Sequence, residues 1–120
     1  MAKTPITIAR TLVNAMNRLY GTHLVINTSS FHGDKGKIIR MYTVKDAYNS
    51  GGGYSNKELF CSASGVYVCL FMRDMLYSFQ GKEIPPDDNE GYQNVLARKN
   101  GLASIDYMKE VYLVGSESDD

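Results

Sequence analysis

The densest apolar run in the chain, residues 62–81 (SASGVYVCLFMRDMLYSFQG), constrains the fold more than any other stretch. At 3.6 residues per turn its apolar side chains recur at i, i+3 and i+4, a spacing typical of a helix that packs on a core. This face comprises Gly65, Val68, Cys69, Met72, Met75, Leu76 and Phe79. The first two turns are apolar on the opposite side as well, so we predict a central helix.

Signals at both ends support this helix. The hydroxyl of Ser62 or Ser64 can accept a hydrogen bond from the first free amides, and Gly81 can adopt the left-handed conformation that ends a helix. A strand over YVCLFM is the alternative, but the apolar run is too long for a typical strand. The residues left to meet water are Arg73, Asp74, Tyr77, Ser78 and Gln80.

A second helix is predicted near the N-terminus. Thr4 can cap it, Pro5 suits its first position, and Gly21 can end it. Its apolar stripe comprises Ile8, Ala9, Leu12, Val13, Met16, Leu19 and Tyr20, and its outer face carries Arg10, Asn14, Asn17 and Arg18. The helix is therefore amphipathic and mildly basic on the outside.

Three strands are predicted between the two helices, over residues 23–29, 37–44 and 57–61. The first two are joined by a glycine-containing turn at 31–36 and are most simply an antiparallel hairpin. In the first strand Leu24 and Ile26 share a face. In the second, Ile39 and Met41 are expected to face the core, while the outward side carries Arg40 and Tyr42, together with Ile38 and Val44.

The remaining segments are less regular. Residues 47–56, with three consecutive glycines, are predicted to be a mobile loop between the second and third strands. Asp87 and Glu90 have the spacing of a capping box before a helix over 92–100 that ends at Gly101. Residues 102–114 read as another helix, although 111–114 (VYLV) could equally form a strand.

The fold class that follows is α+β. We expect a three-stranded antiparallel sheet with an N-terminal helix, a central hydrophobic helix and one or two C-terminal helices on one face of the sheet. Residues 1–115 are predicted to form a single domain, and 116–120 an acidic, disordered tail.

The sequence leads us to expect a cytoplasmic protein by default. Of the 120 residues, 43% are hydrophobic and 22% charged, as in a globular domain. No apolar run is long enough to span a bilayer, and the N-terminus does not resemble a signal peptide. Cys61 and Cys69 lack the spacing of a zinc site, so we expect free thiols that behave as buried, small hydrophobic residues.

The charges are unevenly distributed although the net charge is zero. Residues 1–60 hold eight Lys and Arg against three acidic residues, and residues 61–120 hold five against ten. Such a chain can present one basic and one acidic face, which influences the choice of partner.

No catalytic template is satisfied. The sequence contains no P-loop, no GxGxxG after a strand, no HExxH and no GxSxG, so neither a cofactor nor an enzymatic activity is predicted. The loosest candidate is Cys61 with His32 as base and Asp34 as the group that orients it. Asp87 and Asp88 could bind a hard cation, but two carboxylates before a helix more often cap it, so no metal site is predicted.

Tyrosine is the unusual residue, with nine copies against no tryptophan. Several tyrosines lie near basic residues around the hairpin and the glycine loop. Basic and aromatic residues interleaved on a β surface can hold single-stranded nucleic acid, and tyrosine beside Ser, Gly and Asn is typical of protein-binding loops. The predicted contact surface is Lys35, Lys37, Arg40, Tyr42, Tyr48 and Tyr54.

The chain as a whole, with its capped first helix (residues 4–21, TPITIARTLVNAMNRLYG), its middle rich in tyrosine and glycine, and its acidic tail, resembles the small proteins of phages and mobile elements. In type and size it is similar to anti-CRISPR inhibitors. The resemblance implies a non-enzymatic protein that inhibits or modulates a larger host or effector protein, for example a nucleic-acid-handling nuclease. Its neutral net charge argues against a DNA mimic.

Two alternatives remain open. The same basic, tyrosine-rich surface could serve a nucleic-acid-binding accessory protein, although a pI of 6.7 is low for a specific binder. An enzyme using Cys61 is the third hypothesis. The sequence allows either a monomer or a homodimer.

Overall fold

The computed structural model describes residues 3–47, 49–50, 53–54, 57–84 and 101–110. Within these residues a three-stranded antiparallel sheet and its helices form a small α+β domain, which confirms the predicted fold class. The elements are α1 (Pro5–Tyr20), β1 (Leu24–His32), β2 (Ile38–Asp46), β3 (Asn49–Ser50), β4 (Gly53–Tyr54), β5 (Lys57–Ser62) and α2 (Gly65–Phe79). Residues 101–110 are also helical.

The ends of α1 lie where the sequence predicts them. Thr4 is the N-cap, and its hydroxyl accepts a hydrogen bond from the Thr7 amide at 3.4 Å. Pro5 is the first helical residue, and Gly21 follows the helix with a φ of 67°. Local capping chemistry therefore sets both boundaries of α1.

The apolar stripe of α1 is narrower than predicted. Ala9, Val13 and Met16 are buried, but Ile8 and Leu19 are 40% and 60% exposed. Both exposed residues lie at the margins of the stripe, beyond the part that the sheet and α2 cover. The prediction that they belong to the core face is wrong.

The sheet has the strand order β1-β2-β5 and is antiparallel throughout. The register of β1 and β2 runs without a shift from Leu24 opposite Asp46 to His32 opposite Ile38. Strand β5 pairs with β2 only from Tyr42 to Asp46, with an irregularity between Val44 and Lys45. Both strands of the hairpin are longer than the sequence indicated.

The faces of β2 are the reverse of those predicted. Val44 is fully buried and Tyr42 packs against the core, whereas Ile39 and Met41 lie half-buried on the other face. The reason is the register, because Ile26 on the core face of β1 pairs with Val44. A strand alternates its side chains, so this one pairing also places Tyr42 on the core side.

Helix α2 begins and ends as expected. Ser64 is the N-cap, and its hydroxyl accepts a hydrogen bond from the Tyr67 amide at 3.3 Å. Gly81 has a φ of 71°, and its amide donates to the Ser78 carbonyl while the Lys82 amide donates to the Tyr77 carbonyl. This pair of bonds is the Schellman motif, which satisfies carbonyls that the helix leaves without partners.

The core lies between the sheet and the helices, with α2 at its centre. The buried apolar residues are Ala9, Val13, Met16, Leu24, Val44, Leu59, Phe60, Val68, Phe71, Met72, Met75, Phe79, Ile105 and Met108. Asp74 was expected in water but is only 2% exposed. Its carboxylate accepts a bond of 2.9 Å from the Arg73 guanidinium, and such pairing makes a buried charge tolerable.

The helical residues 101–110 pack on α2 and β5. Ile105 and Met108 are buried, and Lys57 of β5 places its ammonium 3.6 Å from the centre of the Tyr107 ring. Gly101 is itself helical, so the prediction that it ends a helix is wrong. It lies directly against the ring of Phe71, where a Cβ would not fit.

The glycine-rich segment also differs from the prediction. Asn49 pairs with Tyr54 and Ser50 with Gly53, so β3 and β4 form a short ladder where a mobile loop was expected. The predictions for 85–100, including the Asp87 and Glu90 capping box, lie outside the described residues. So do those for 111–114 and for the tail at 116–120.

Candidate functional site

The outer half of the β1–β2 hairpin extends beyond the rest of the sheet. Residues 29–41, which we call the hairpin arm, pair only with one another, because the pairing of β5 to β2 stops at Tyr42. From α1 the Arg10 guanidinium reaches the base of the hairpin arm, where it donates to the Thr28 hydroxyl at 3.0 Å. The hairpin arm is therefore a two-stranded projection with two accessible faces.

Three of the predicted contact residues gather on the hairpin arm. Lys35, Lys37 and Arg40 are all exposed. A tight turn at Asp34–Gly36 joins the strands, and its Lys35 has a φ of 60° and a ψ of 29°, in the left-handed region that favours glycine. The turn thus keeps a lysine where glycine would be less strained.

Apolar side chains accompany these cations. Ile38 is 70% exposed and shares a face of the hairpin arm with Arg40, while Phe31 is 47% exposed on the other face. Ile39 lies directly opposite Phe31. Each face of the hairpin arm therefore offers a hydrophobic contact next to positive charge, a combination typical of protein-binding surfaces.

The predicted tyrosines do not all join this surface. Tyr42 is half-buried against the core at the base of the hairpin arm, so the prediction that it points outward is wrong. Tyr54 belongs to β4, and its backbone pairs with Asn49. Tyr48 lies outside the described residues.

The structure does not bring together Cys61 and His32, the thiol and base of the catalytic group considered from the sequence. Cys61 pairs with Thr43, whereas His32 pairs with Ile38 at the far end of β2, ~17 Å away along the strand at ~3.3 Å per residue. The two side chains also project from opposite faces of the sheet. His32 cannot act as a base for the Cys61 thiol in this geometry.

The two thiols differ in their surroundings. Cys61 is exposed, contrary to the expectation that it is buried, and its sulfur lies 3.4 Å from the Thr43 hydroxyl. Cys69 is half-buried, and burial raises the pKa of its thiol, an effect that the nearby Arg73 charge opposes. Cys61 is therefore the more accessible of the two thiols, and His32 lies too far away to act as its base.

Neither a metal site nor a membrane-spanning segment is found in the described part of the chain. No three His, Cys, Asp or Glu side chains cluster there in a way that could hold an ion. No helix among these residues is long and apolar enough to cross a bilayer. Asp87 and Asp88 lie outside the described residues.

Two polar side chains of α1 have a role that the sequence did not reveal. Asn17 accepts from the Leu24 amide at 2.9 Å and donates to the Leu24 carbonyl at 3.0 Å, as a neighbouring strand would. The Arg10 guanidinium donates to the Ile26 carbonyl at 3.3 Å. Both residues were placed on the solvent side of α1, and only the packing of α1 beside β1 shows what they contact.

Comparison of the chain with protein-family models, curated proteins and solved structures finds no match. Its function is therefore inferred from its own residues, above all from the hairpin arm.

Proposed function

We propose that this chain is a non-enzymatic binding protein that inhibits or modulates a larger protein partner, with the hairpin arm as the contact surface. One observation carries the proposal: the hairpin arm projects exposed cations, Lys35, Lys37 and Arg40, beside exposed apolar side chains, Phe31 and Ile38. A few residues, with aromatic side chains and arginine enriched among them, supply most of the energy of protein interfaces.

The strained turn supports this proposal. A non-glycine residue at positive φ costs free energy, and such positions often occur where function requires a particular side chain. Lys35 occupies one at the tip of the hairpin arm, where a charged side chain can reach a partner. The free-energy cost of this conformation is consistent with a lysine that is present for binding rather than for stability.

The charge of the hairpin arm indicates the chemistry of the partner. Its three cations outnumber its one acid, Asp34, so the complementary surface is acidic with an apolar patch. A cytoplasmic host or effector protein that handles nucleic acid, such as the nucleases that anti-CRISPR-type inhibitors bind, is the class of partner we propose.

Direct nucleic-acid binding is the second candidate function, because the cations of the hairpin arm could equally contact phosphates. The two functions differ in their salt dependence. Phosphate contacts release counterions, so affinity falls steeply as salt rises, by roughly one power of the salt concentration for each contact. An interface anchored by Phe31 and Ile38 weakens less, because apolar burial is not screened.

The experiment is a pull-down from host lysate with tagged, purified protein, with and without nuclease treatment and at two salt concentrations. A stoichiometric protein partner that survives nuclease and high salt is the expected result. Recovery that disappears with nuclease would assign the hairpin arm to nucleic acid instead. Cys61→Ser serves as the test of the enzyme hypothesis, and we expect this variant to capture and inhibit the partner as the wild type does.

A further inference from the structure

The outer edge of β1 alternates between paired and outward-facing backbone groups. The Ala47 amide donates to the His23 carbonyl, and the Gly33 amide donates to the Lys37 carbonyl, so odd-numbered residues of β1 form the hydrogen-bonded pairs with β2. Even-numbered residues must then direct their amides and carbonyls away from β2. The bonds of Leu24 to Asn17 agree with this alternation.

Helix α1 covers only the first part of this edge. Asn17 satisfies Leu24, and Arg10 reaches the Ile26 carbonyl. Farther along, no residue in the described part of the chain hydrogen-bonds to the outward backbone groups of Thr28, Ser30 and His32. None of the nine residues of β1 is Lys, Arg, Asp, Glu or proline, the residue types that commonly protect an edge strand.

We propose that two copies of this chain pair antiparallel through β1, with Ser30 of one copy opposite Ser30 of the other. The three residues with open outward groups, Thr28, Ser30 and His32, are symmetric about Ser30. In this register Thr28 meets His32 of the second copy and His32 meets its Thr28. All three pairs are of the type that exchanges both N–H···O bonds, so a two-fold axis satisfies the whole open edge.

One local ion pair favours a second copy as the occupant, although the hairpin arm as a whole is basic. Counted past the end of β1 at His32, the same register brings Asp34 of the second copy towards Ile26, where the Arg10 guanidinium donates to the Ile26 carbonyl and the Thr28 hydroxyl. Asp34 is the one acid of the hairpin arm. A cleft of about 470 Å³ between α1 and β1, lined by Arg10, Val13, Asn14, Leu24, Val25, Ile26 and Asn27, leaves room for the incoming turn.

The apolar face gains from the same pairing. Phe31, 47% exposed, would lie diagonally across the axis from Phe31 of the second copy, within reach for aromatic side chains on one sheet face. Ile39 and Met41 share this face and would extend the buried strip. The dimer covers Phe31 and the turn but leaves Arg40 and Ile38 on β2 accessible, so only this part of the surface proposed to bind the larger partner stays open in it.

The first test measures the mass of the purified protein by sedimentation as a function of concentration. Ser30→Pro removes an outward amide in each copy, whereas the matched control Ser30→Ala keeps it. We expect a concentration-dependent dimer for the wild type and for Ser30→Ala, and a dissociation constant at least about tenfold higher for Ser30→Pro. A wild type that stays monomeric, or a dimer indifferent to Ser30→Pro, would overturn the proposal.

A second test fixes the register and does not depend on the proline variant folding. In a Cys61→Ser background, Ser30→Cys should cross-link to itself under mild oxidation. Thr28→Cys and His32→Cys should each fail alone but cross-link when mixed, because Thr28 meets His32 across the axis. Any other pattern of cross-links contradicts the symmetric pairing. Both tests use purified protein alone. A negative result would therefore overturn the dimer without bearing on whether the hairpin arm binds the larger partner.

Discussion

At the scale of single residues, Lys35 is the position where conformational preference and proposed function oppose each other. Its φ of 60° lies in a region that glycine adopts more readily than residues with a Cβ do. Sequence alone indicated a turn here but could not reveal that Lys35 shares the positive φ of Gly36, because glycine favours that conformation more than lysine does. The choice of lysine over glycine becomes informative only once the backbone is known.

We predict that Lys35→Gly separates stability from binding. Relief of the left-handed strain should raise the free energy of unfolding by up to about 1 kcal/mol, while loss of the ammonium weakens partner capture. Lys37→Gly is the matched control, since Lys37 has an ordinary φ of −67° and should lose about 0.5–1 kcal/mol. Urea denaturation measures the free energy of unfolding of both variants, and a pull-down measures partner capture. A Lys35→Gly variant less stable than the wild type would argue against the strain.

The two thiols should differ in their reactivity. Cys61 is exposed, whereas burial raises the pKa of the Cys69 thiol. Only the thiolate attacks an alkylating agent, so Cys61 should be labelled first and Cys69 should need a higher pH. Since folding holds the Cys69 proton more tightly, the native state also loses stability as pH rises above the pKa of the unfolded thiol. Mass spectrometry of iodoacetamide labelling between pH 7 and pH 9 tests the order, and equal rates would contradict it.

At the scale of elements, capping chemistry was the most predictable part of the fold. The boundaries of α1 and α2 follow from Thr4, Gly21, Ser64 and Gly81, each of which acts on its own neighbours. The faces of β2 could not be read in the same way. They depend on which residue pairs with Ile26, and a shift of one position reverses every side chain.

The contact between Gly101 and Phe71 illustrates a feature that only tertiary packing reveals. The glycine was interpreted as a helix end, but it is a helical residue pressed against the ring that stacks on Phe60 at 4.9 Å. Alanine normally favours a helix over glycine by about 1 kcal/mol. Here the steric clash should outweigh that preference.

We therefore expect Gly101→Ala to lower the free energy of unfolding by about 1–3 kcal/mol, the usual cost of overpacking. The matched control is Gly65→Ala at the start of α2, where an added Cβ would make ordinary contacts of 3.4 Å or more with Ile6. That variant should be neutral or stabilising. Partial rescue of Gly101→Ala by Phe71→Leu would confirm the cause, and equal effects of both alanine variants would contradict it.

Asn17 joins α1 to β1, and its loss should be costly. Asn17→Ala leaves the Leu24 amide and carbonyl and the buried Thr22 hydroxyl without their partner, at roughly 1–3 kcal/mol. Asn14→Ala, one turn earlier on the exposed side, is the control and should change the free energy of unfolding by less than about 0.5 kcal/mol. Chemical denaturation of the two variants measures the difference, and similar values would show that the amide is dispensable.

At the scale of the whole molecule, the structure shows where part of the positive charge of the first half of the sequence lies. Three cations of the basic first half, Lys35, Lys37 and Arg40, lie on the hairpin arm. All three are exposed, so they do not contribute to the core. The sequence predicted this cluster because the hairpin is local. It could not predict that Tyr42 turns inward or that β1 offers an open edge, because both depend on how α1 and β5 lie against the hairpin.

The measurement that tests the central claim most directly compares partner capture by two triple variants of equal charge. One reverses the hairpin arm (Lys35→Glu, Lys37→Glu, Arg40→Glu), and the other reverses exposed cations elsewhere (Lys3→Glu, Arg18→Glu, Lys82→Glu). We predict that the first loses capture of the larger partner by about tenfold or more while the second binds like the wild type. Equal capture by both variants would contradict the assignment of the hairpin arm as the binding surface.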